Sequence, residues 1–359
     1  MRLQTANTLK TFETKHSMSN EDVVIVSALR TPLSRARKGP LAKTPASTLL
    51  STVLKGVLDQ TKINPSAIED ICIGTVLAPS GGHIGCRMAQ LSSGIDSHVS
   101  LSTTNRQCSS GLQAVANIAA AIQSKSISIG IGGGVESMSA NPMNKQPMPD
   151  VDWDVMNGCK EAMDCLVPMG VTSENVTKKY GLSRRQLDEF AAKSHAKAAK
   201  ARELGLFEEE IVPVGDAVQD DGIRPGTTIE KLGKLKPVFD KEHGSTTAGN
   251  SSQLTDGAAA VLLMTRAEAI KRKLPILGVW RSFAVKGVPP SIMGIGPAVA
   301  IPAALQKAGL SLQDIDVFEI NEAFASQAFY CIQELGIDEK KVNPLGGAIA
   351  LGHVSALFS

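Results

Sequence analysis

The sequence predicts an α/β protein built from two similar halves on parallel sheet layers. Three observations carry this. An apolar run, a helical pattern, a turn and a second apolar run follow one another between residues 23 and 76, and such an order implies parallel pairing, because parallel neighbours need a crossover. The same order returns between residues 276 and 320, where "LSLQDIDVFEIN" repeats the alternation and turn-to-strand step of "INPSAIEDICIG". Aromatic residues make up only 4% of the chain while small aliphatic side chains abound, which suits close packing of helices on sheets.

Residues 1–20 are polar and without a period, so they read as a tail or targeting segment. Val23-Val24-Ile25-Val26 is the first strand, closed by Arg30-Thr31-Pro32. A helical pattern spans Thr48 to Leu58, Ile63-Asn64-Pro65 makes a turn, and Ile68 to Val76 reads as a strand. Leu112, Val115, Ile118, Ala119 and Ile122 recur at helical spacing. In the second half Ile276 to Trp280 reads as a strand, Pro297 to Ala308 as a helix, Leu310-Ser311-Leu312 as a turn and Ile315 to Ile320 as a strand. Residues 145–245 are more polar, with Lys and Glu runs. They contain a helix started by Ser183, with Leu187, Phe190, Ala191, Ser194 and Ala198 on one side. The organisation expected is a tail at 1–20, an N-terminal half at 21–144 completed by about 246–272, an inserted domain at 145–245, and a C-terminal half at 273–359.

With 359 residues, two packed units sharing a large core are expected. Lys plus Arg number 37 against 35 Asp plus Glu, too even for a general grip on nucleic acid or an acidic membrane, and the scarcity of aromatics removes a base-stacking platform. Nucleic acid is not expected as a partner, and anionic ligands have to be held locally. No run approaches the ~18 apolar residues of a spanning helix, and no apolar stretch marks a secretory signal, so the reading is a soluble, intracellular protein without a membrane span. Cys72, Cys86, Cys108, Cys159, Cys165 and Cys331 lack the paired spacings of a zinc site and the density of a disulfide framework. No metal is expected, and most are expected to be small core residues.

Cys108, in "TTNRQCSSGLQAVANIAAAI", stands at the start of a predicted helix, with Ser109-Ser110-Gly111 as helix-start chemistry. There the unpaired N–H groups and the helix dipole favour a thiolate, lowering the pKa from about 8.5 towards neutrality, and the small polar neighbours favour a nucleophile over a buried structural cysteine. A thiol nucleophile needs a base and a pocket for developing negative charge. His353 follows Asn343-Pro344-Leu345-Gly346-Gly347, whose glycines let the backbone turn sharply and approach a ligand, unlike the setting of an ordinary polar histidine. In "EINEAFA", Asn321 and Glu322 close a predicted strand, where α/β proteins place their sites; a capping pair before the next helix explains the same letters equally well. Asn250, Ser251 and Ser252 in "TTAGNSSQLTDGAAAVLL" either bond an amide-rich ligand or satisfy a turn. "GIGGGVESMS" at 130–139 does not match the dinucleotide fingerprint, and its glycines read as close backbone packing.

Together "NRQCSSGLQA", "GGVESMS", "TTAGNSSQLTDGAA", "GVPPSIMGIGPAVAIP", "FEINEAFASQA" and "NPLGGAIALGH" resemble the thiolase family, in particular its peroxisomal 3-ketoacyl-CoA branch, in order and spacing from about residue 22 to residue 353. The resemblance implies a thiolase-like duplicated five-layered α-β-α-β-α core with an inserted loop domain that binds coenzyme A, assembled as a homodimer. It implies cleavage of 3-ketoacyl-CoA by coenzyme A to acyl-CoA and acetyl-CoA in fatty-acid β-oxidation, with these CoA compounds as substrates and no permanently bound cofactor. The condensing, biosynthetic direction uses the same residues, and a catalytically silent acyl-CoA-binding or partner subunit is the non-enzymatic alternative. By the resemblance, Cys108 attacks the keto carbon and carries the acyl group, His353 takes its proton, and Asn321 holds the thioester oxygen through a water. Ser252 matches a serine on the pantetheine arm, Met169 in "VPMGVTSENV" lines the same tunnel, and Arg224 in "DDGIRPGTT" approaches the nucleotide end.

Family members pass from the histidine to a proline and then to closing strands with a second cysteine, the acid/base for the departing acetyl-CoA carbanion and the incoming thiol. Here Val354 stands in the proline's place and the sequence stops at Ser359. The expectation is a truncated or alternatively spliced chain, its last strands missing and its thiolysis impaired, by ~10²–10⁴ for the acid/base and ~10²–10³ for an oxyanion donor. At the other end Arg2-Leu3 fits a peroxisomal address whose second pair is replaced by Leu9-Lys10, so the peroxisome is the expected location and the cytoplasm its alternative.

Overall fold

The computed structural model describes residues 18–353. Most of the expected N-terminal tail, and Val354 to Ser359, lie outside the described residues. The chain opens with β1 (Val23–Arg30), β2 (Ser34–Arg35) and helix α1 (Ala46–Thr61). α1 buries Leu49, Leu50, Val53, Leu54 and Val57, one face of a 3.6-residue period, and stops where Lys62 takes up left-handed backbone. The Asn64 side chain accepts from the Ser66 N–H and turns the chain into β3 (Asp70–Gly74). Then come α2 (His83–Ser92), β4 (Ser100–Thr104), α3 (Ser110–Gln123) and β5 (Ile129–Ser137). Residues 145–245 hold α4 (Trp153–Asn157), α5 (Lys160–Asp164), α6 (Met169–Tyr180), α7 (Arg184–Glu203) and α8 (Ile229–Gly233). α7 starts as expected, with Ser183 and Gln186 capping each other's backbone. β6 (Thr255–Thr265), α9 (Arg266–Lys271), β7 (Gly278–Val279), α10 (Gly296–Ala308), α11 (Ala325–Leu335) and α12 (Ala348–Leu351) complete the described fold.

Among the described residues the strands form one seven-stranded sheet in the order β4-β3-β5-β6-β1-β7, with β2 on β6. β4, β3 and β5 are parallel, as expected, whereas β6 runs antiparallel between β5 and β1. The parallel expectation fails there for a geometric reason. Chain leaving the carboxyl end of β5 makes its excursion through 145–245 and returns at that same end, Ser137 facing Asp256, so re-entry is antiparallel. α1 covers one face over Val24, Ile71, Ile131 and Leu262, and α3 covers the other over Cys72, Val261 and Leu263. The β5 glycines admit α3, since a Cβ on Gly132 would stand 2.5 Å from the Cα of Val115. This is the packing role expected of "GIGGGVESMS".

The second half packs α11 and α12 against α7 through Leu187, Phe190, Phe329 and Ile349. The expected strand from Ile315 to Ile320 does not form a ladder. Phe318 makes one bridge to Val342, and the Asn343 side chain accepts from the Ile320 N–H at 2.8 Å and donates to its carbonyl at 2.9 Å. A side-chain amide thus satisfies backbone groups that a neighbouring strand would otherwise pair, while Phe318 and Ile320 still bury their apolar side chains. The expected strand from Ile276 to Trp280 shrinks to Gly278–Val279 on the edge of β1. Cys72, Cys86 and Cys331 are core residues, but Cys159 and Cys165 are exposed. Among the described residues no helix is long and apolar enough to cross a membrane, and no cluster of three metal-ligating side chains occurs.

Candidate active site

Cys108 sits four residues past the end of β4, in a turn built by its neighbours. Gln107 adopts left-handed backbone with φ 48°, Asn105 Oδ1 accepts from the Gln107 N–H at 2.9 Å, and Asn105 Nδ2 donates to Val76 O. The Ser110 hydroxyl accepts from the Arg106 N–H and donates to Gln107 O, closing the turn onto the first residue of α3. Ser109, at the N-cap position, makes no side-chain cap, so the expected helix-start chemistry comes from Ser110 instead. Leu112, expected on the apolar face, is 41% exposed. The half-buried Cys108 also reverses an expectation: burial pushes its thiol up to about 11, only partly opposed by its own backbone N–H. Desolvation disfavours the thiolate more than the helix start favours it, so ionisation needs a partner that takes the proton.

His353 carries an imidazole that can accept a proton. It is buried, and burial alone lowers its pKa to about 4, so the imidazole is neutral at pH 7. The His353 backbone N–H donates to Gln253 O at 3.0 Å, the residue bridges Leu254, and Gly352 before it has φ 110°, where a Cβ would meet the Thr255 hydroxyl at 2.5 Å. That close approach is why glycine precedes the histidine. Among the described residues His353 Nε2 and Asn321 Oδ1 are both buried side-chain atoms without a hydrogen-bond partner. The two are joined by one segment. Ser252 N–H donates to Ala323 O, Ser251 bridges Phe324, and the next residue, Gln253, holds His353. Residue 254 leads into β6, whose start lies beside the carboxyl end of β5. β3 and β4 end on that same side, so Cys108, His353, Asn321 and Ser252 share one end of the sheet.

Asn250 and Ser251 serve the turn: Asn250 is buried and bonds Thr247, Asp188 and Ser245, and the Ser251 hydroxyl donates to Thr247 O. Met169 opens α6, one turn before Ser173, whose hydroxyl bonds Ser326 at the start of α11. Arg224 lies apart from this group, on the rim of a cavity of about 370 Å³ lined also by His195, Lys231, Gly249, Gln253 and Ile349. Its backbone N–H donates to His195 Nδ1, and burial followed by the Arg224 charge lowers His195 to about 4. Gln253 links the cavity to the histidine loop, its amide donating to Gly222, Ile349 and Ala350 carbonyls. The sequence reading missed Gln253 and His195, because neither carries a spacing signal.

Comparison with known proteins gives the family. The model of the thiolase N-terminal domain matches residues 23–267, and that of the thiolase C-terminal domain matches residues 274–355. The chain belongs to the thiolase family. It is 56% identical over 348 residues to "3-ketoacyl-CoA thiolase A, peroxisomal" of Rattus norvegicus, covering 93% of this chain and 79% of that protein. The crystal structure of the dimeric peroxisomal thiolase of Saccharomyces cerevisiae superposes with a TM-score of 0.91 at 45% identity, covering 95% of this chain and 89% of that one. A second structure of the yeast peroxisomal 3-ketoacyl-CoA thiolase, a five-layered α-β-α-β-α structure constructed from two core domains of identical topology, matches with a TM-score of 0.78 at 41% identity, covering 95% and 88% of the two chains. In this thiolase α1, the sheet and α3 form successive layers of that arrangement.

Proposed function

We propose that this thiolase cleaves 3-ketoacyl-CoA with coenzyme A through an acyl group carried on Cys108. The observation that carries the reading is that His353 Nε2 and Asn321 Oδ1, two of the buried side-chain atoms without a partner among the described residues, lie at the sheet end that also presents Cys108. Cys108 gives its proton to His353 and its sulfur attacks the 3-keto carbon. The bond between C2 and C3 of the substrate then breaks, acetyl-CoA leaves as an enolate that takes the proton now on His353, and the acyl group stays on the sulfur. The coenzyme A thiol then gives its proton to His353 while its sulfur attacks the thioester carbon, and the departing cysteine sulfur takes that proton as acyl-CoA is released. Alone, each of the two groups resists charge, Cys108 held up to about 11 and His353 held down to about 4. Moving one proton between them creates an attracting thiolate–imidazolium pair in a poorly solvated site, which offsets both penalties. Asn321 acts on the thioester oxygen, where a preorganised polar group contributes most as negative charge develops.

Residues 145–245 form the segment that holds coenzyme A in this reading. Ser252 and Met169 flank the pantetheine arm, and Arg224, with Lys231 beside it on the cavity rim, faces the anionic nucleotide end. Dimerisation has a matching surface. Among the described residues β4 is an edge strand with β3 on one side, and α2 beside it exposes Ile84, Met88 and Leu91. The mammalian relative is a peroxisomal enzyme, and this chain is assigned to the same compartment.

The test is mass spectrometry of the purified protein after mixing with acetoacetyl-CoA and with a longer 3-ketoacyl-CoA. An acyl adduct confined to the Cys108 peptide, absent in Cys108→Ser, is expected. A folded protein that forms no adduct with either compound overturns the reading.

A further inference from the structure

We propose that Glu322 is a positioning residue, whose carboxylate sets Asn321 and the glycine-rich loop leading to His353 in one frame. The inference rests on the acyl-transfer reading above. Glu322 is 2% exposed and accepts three hydrogen bonds, from Ser194 Oγ at 2.7 Å, Asn343 Nδ2 at 2.8 Å and the Ile349 N–H at 3.1 Å. They come from α7, the loop after Val342 and α12. While donating to Glu322, the Ser194 hydroxyl accepts from the Gly347 N–H at 3.1 Å, so the loop is tied to the carboxylate a second time. Lys197, one turn further along α7, donates to Val342 O at 2.7 Å and secures the start of the same loop.

Two further observations fix the direction of the argument. A Cβ on Gly347 would collide with the Glu322 carboxyl, so only glycine lets the loop pass this close to it. Asn343, held by Glu322 in left-handed backbone, also bonds both backbone groups of Ile320, two residues before Glu322. The carboxylate is therefore joined to its own segment through the loop as well as by the chain, and Asn321 lies between the two attachments. Glu322 does not cap the helix that follows it in the chain, since α11 begins after Phe324 without a side-chain cap. An isolated carboxylate is costly to bury, and retaining one here serves a geometry that an apolar side chain of similar size would not impose.

The experiment uses the full 359-residue chain. Glu322→Gln preserves shape but turns one acceptor into a donor, which then faces a donor at Asn343 or Ser194. Acylation of Cys108 by acetoacetyl-CoA is followed by rapid quench and mass spectrometry, per folded molecule. The expected result is a maximal rate lowered about 10–100-fold, with the half-saturating substrate concentration changed less than about twofold. A role in stability alone lowers the thermal midpoint and leaves the maximal rate at the wild-type value, and that result overturns the proposal. If Glu322→Gln does not fold, Ser194→Ala decides: slower acylation supports the proposal and a wild-type rate overturns it. Wild-type protein that forms no adduct sinks the acyl-transfer reading and this inference together, whereas wild-type acylation with an equally fast variant sinks this inference alone.

Discussion

Replacing Gly74 by alanine tests whether the seat of Cys108 is set by backbone packed on backbone. Gly74 ends β3, and a Cβ there would lie 2.5 Å from Ser110 O and 2.6 Å from Gly111 N, whereas ordinary contact begins at 3.4 Å. Both neighbours are backbone atoms in the first turn of α3, so neither swings aside, and the helix start or strand end must yield by roughly 1 Å. Overpacking of this kind costs about 1–3 kcal/mol and lowers the urea midpoint. Ser110 is two residues from Cys108, so the shift reaches the sulfur, and a misplacement of about 1 Å is expected to slow acylation on the order of 10²-fold. The assay is single-turnover acylation of Cys108, normalised to the folded fraction from the urea curve. Gly278→Ala is the control: it lies on the short edge strand β7 with nothing within 4 Å of the added carbon, so acylation is unchanged and stability rises by up to about 1 kcal/mol. Gly132→Ala meets the Cα of Val115 further along α3, so it loses comparable stability with a smaller effect on rate. Wild-type acylation in Gly74→Ala, or equal slowing in Gly278→Ala, refutes the reasoning.

Three further outcomes follow from the same geometry. His353→Ala removes the proton acceptor and is expected to slow acylation by ~10²–10⁴, and Asn321→Ala by ~10²–10³; adduct formation at the wild-type rate in either variant removes that residue from the mechanism. His195 is neutral in the fold down to about pH 4 and takes up a proton near 6.5 when unfolded, so unfolding binds protons and its share of stability is lost as pH falls from 6.5 to 4. Across that window the wild type is expected to lose about 3 kcal/mol more than His195→Gln in urea titrations, and parallel curves contradict this. Arg30 pairs with the buried Asp220, whose side chain is 1% exposed, and Arg30→Ala strands that charge at a cost of about 3–5 kcal/mol. A change below about 1 kcal/mol in the denaturation midpoint energy shows the pair to be solvated instead.

What the sequence by itself determined was local and repetitive. The period of α1, the capping box of α7, the turn before β3 and the glycines beneath α3 are short-range requirements, met or broken within a few residues, so they are legible in order. The motif set likewise named Cys108, Asn321 and His353, which the fold gathers at one sheet end. Other features depended on partners far away in the chain. Only tertiary packing turned β6 antiparallel, let Asn343 stand in for a strand beside Ile320, and exposed Leu112 on a helix whose neighbours are buried. It also reversed the direction of the Cys108 shift, because desolvation is the sum of everything packed around a thiol, while a helix start is visible from the next four letters. The sequence left Glu322 balanced between a cap and a site. Its actual partners, Ser194, Asn343 and Ile349, lie 128, 21 and 27 residues away, a separation that no periodicity encodes and only the folded chain closes.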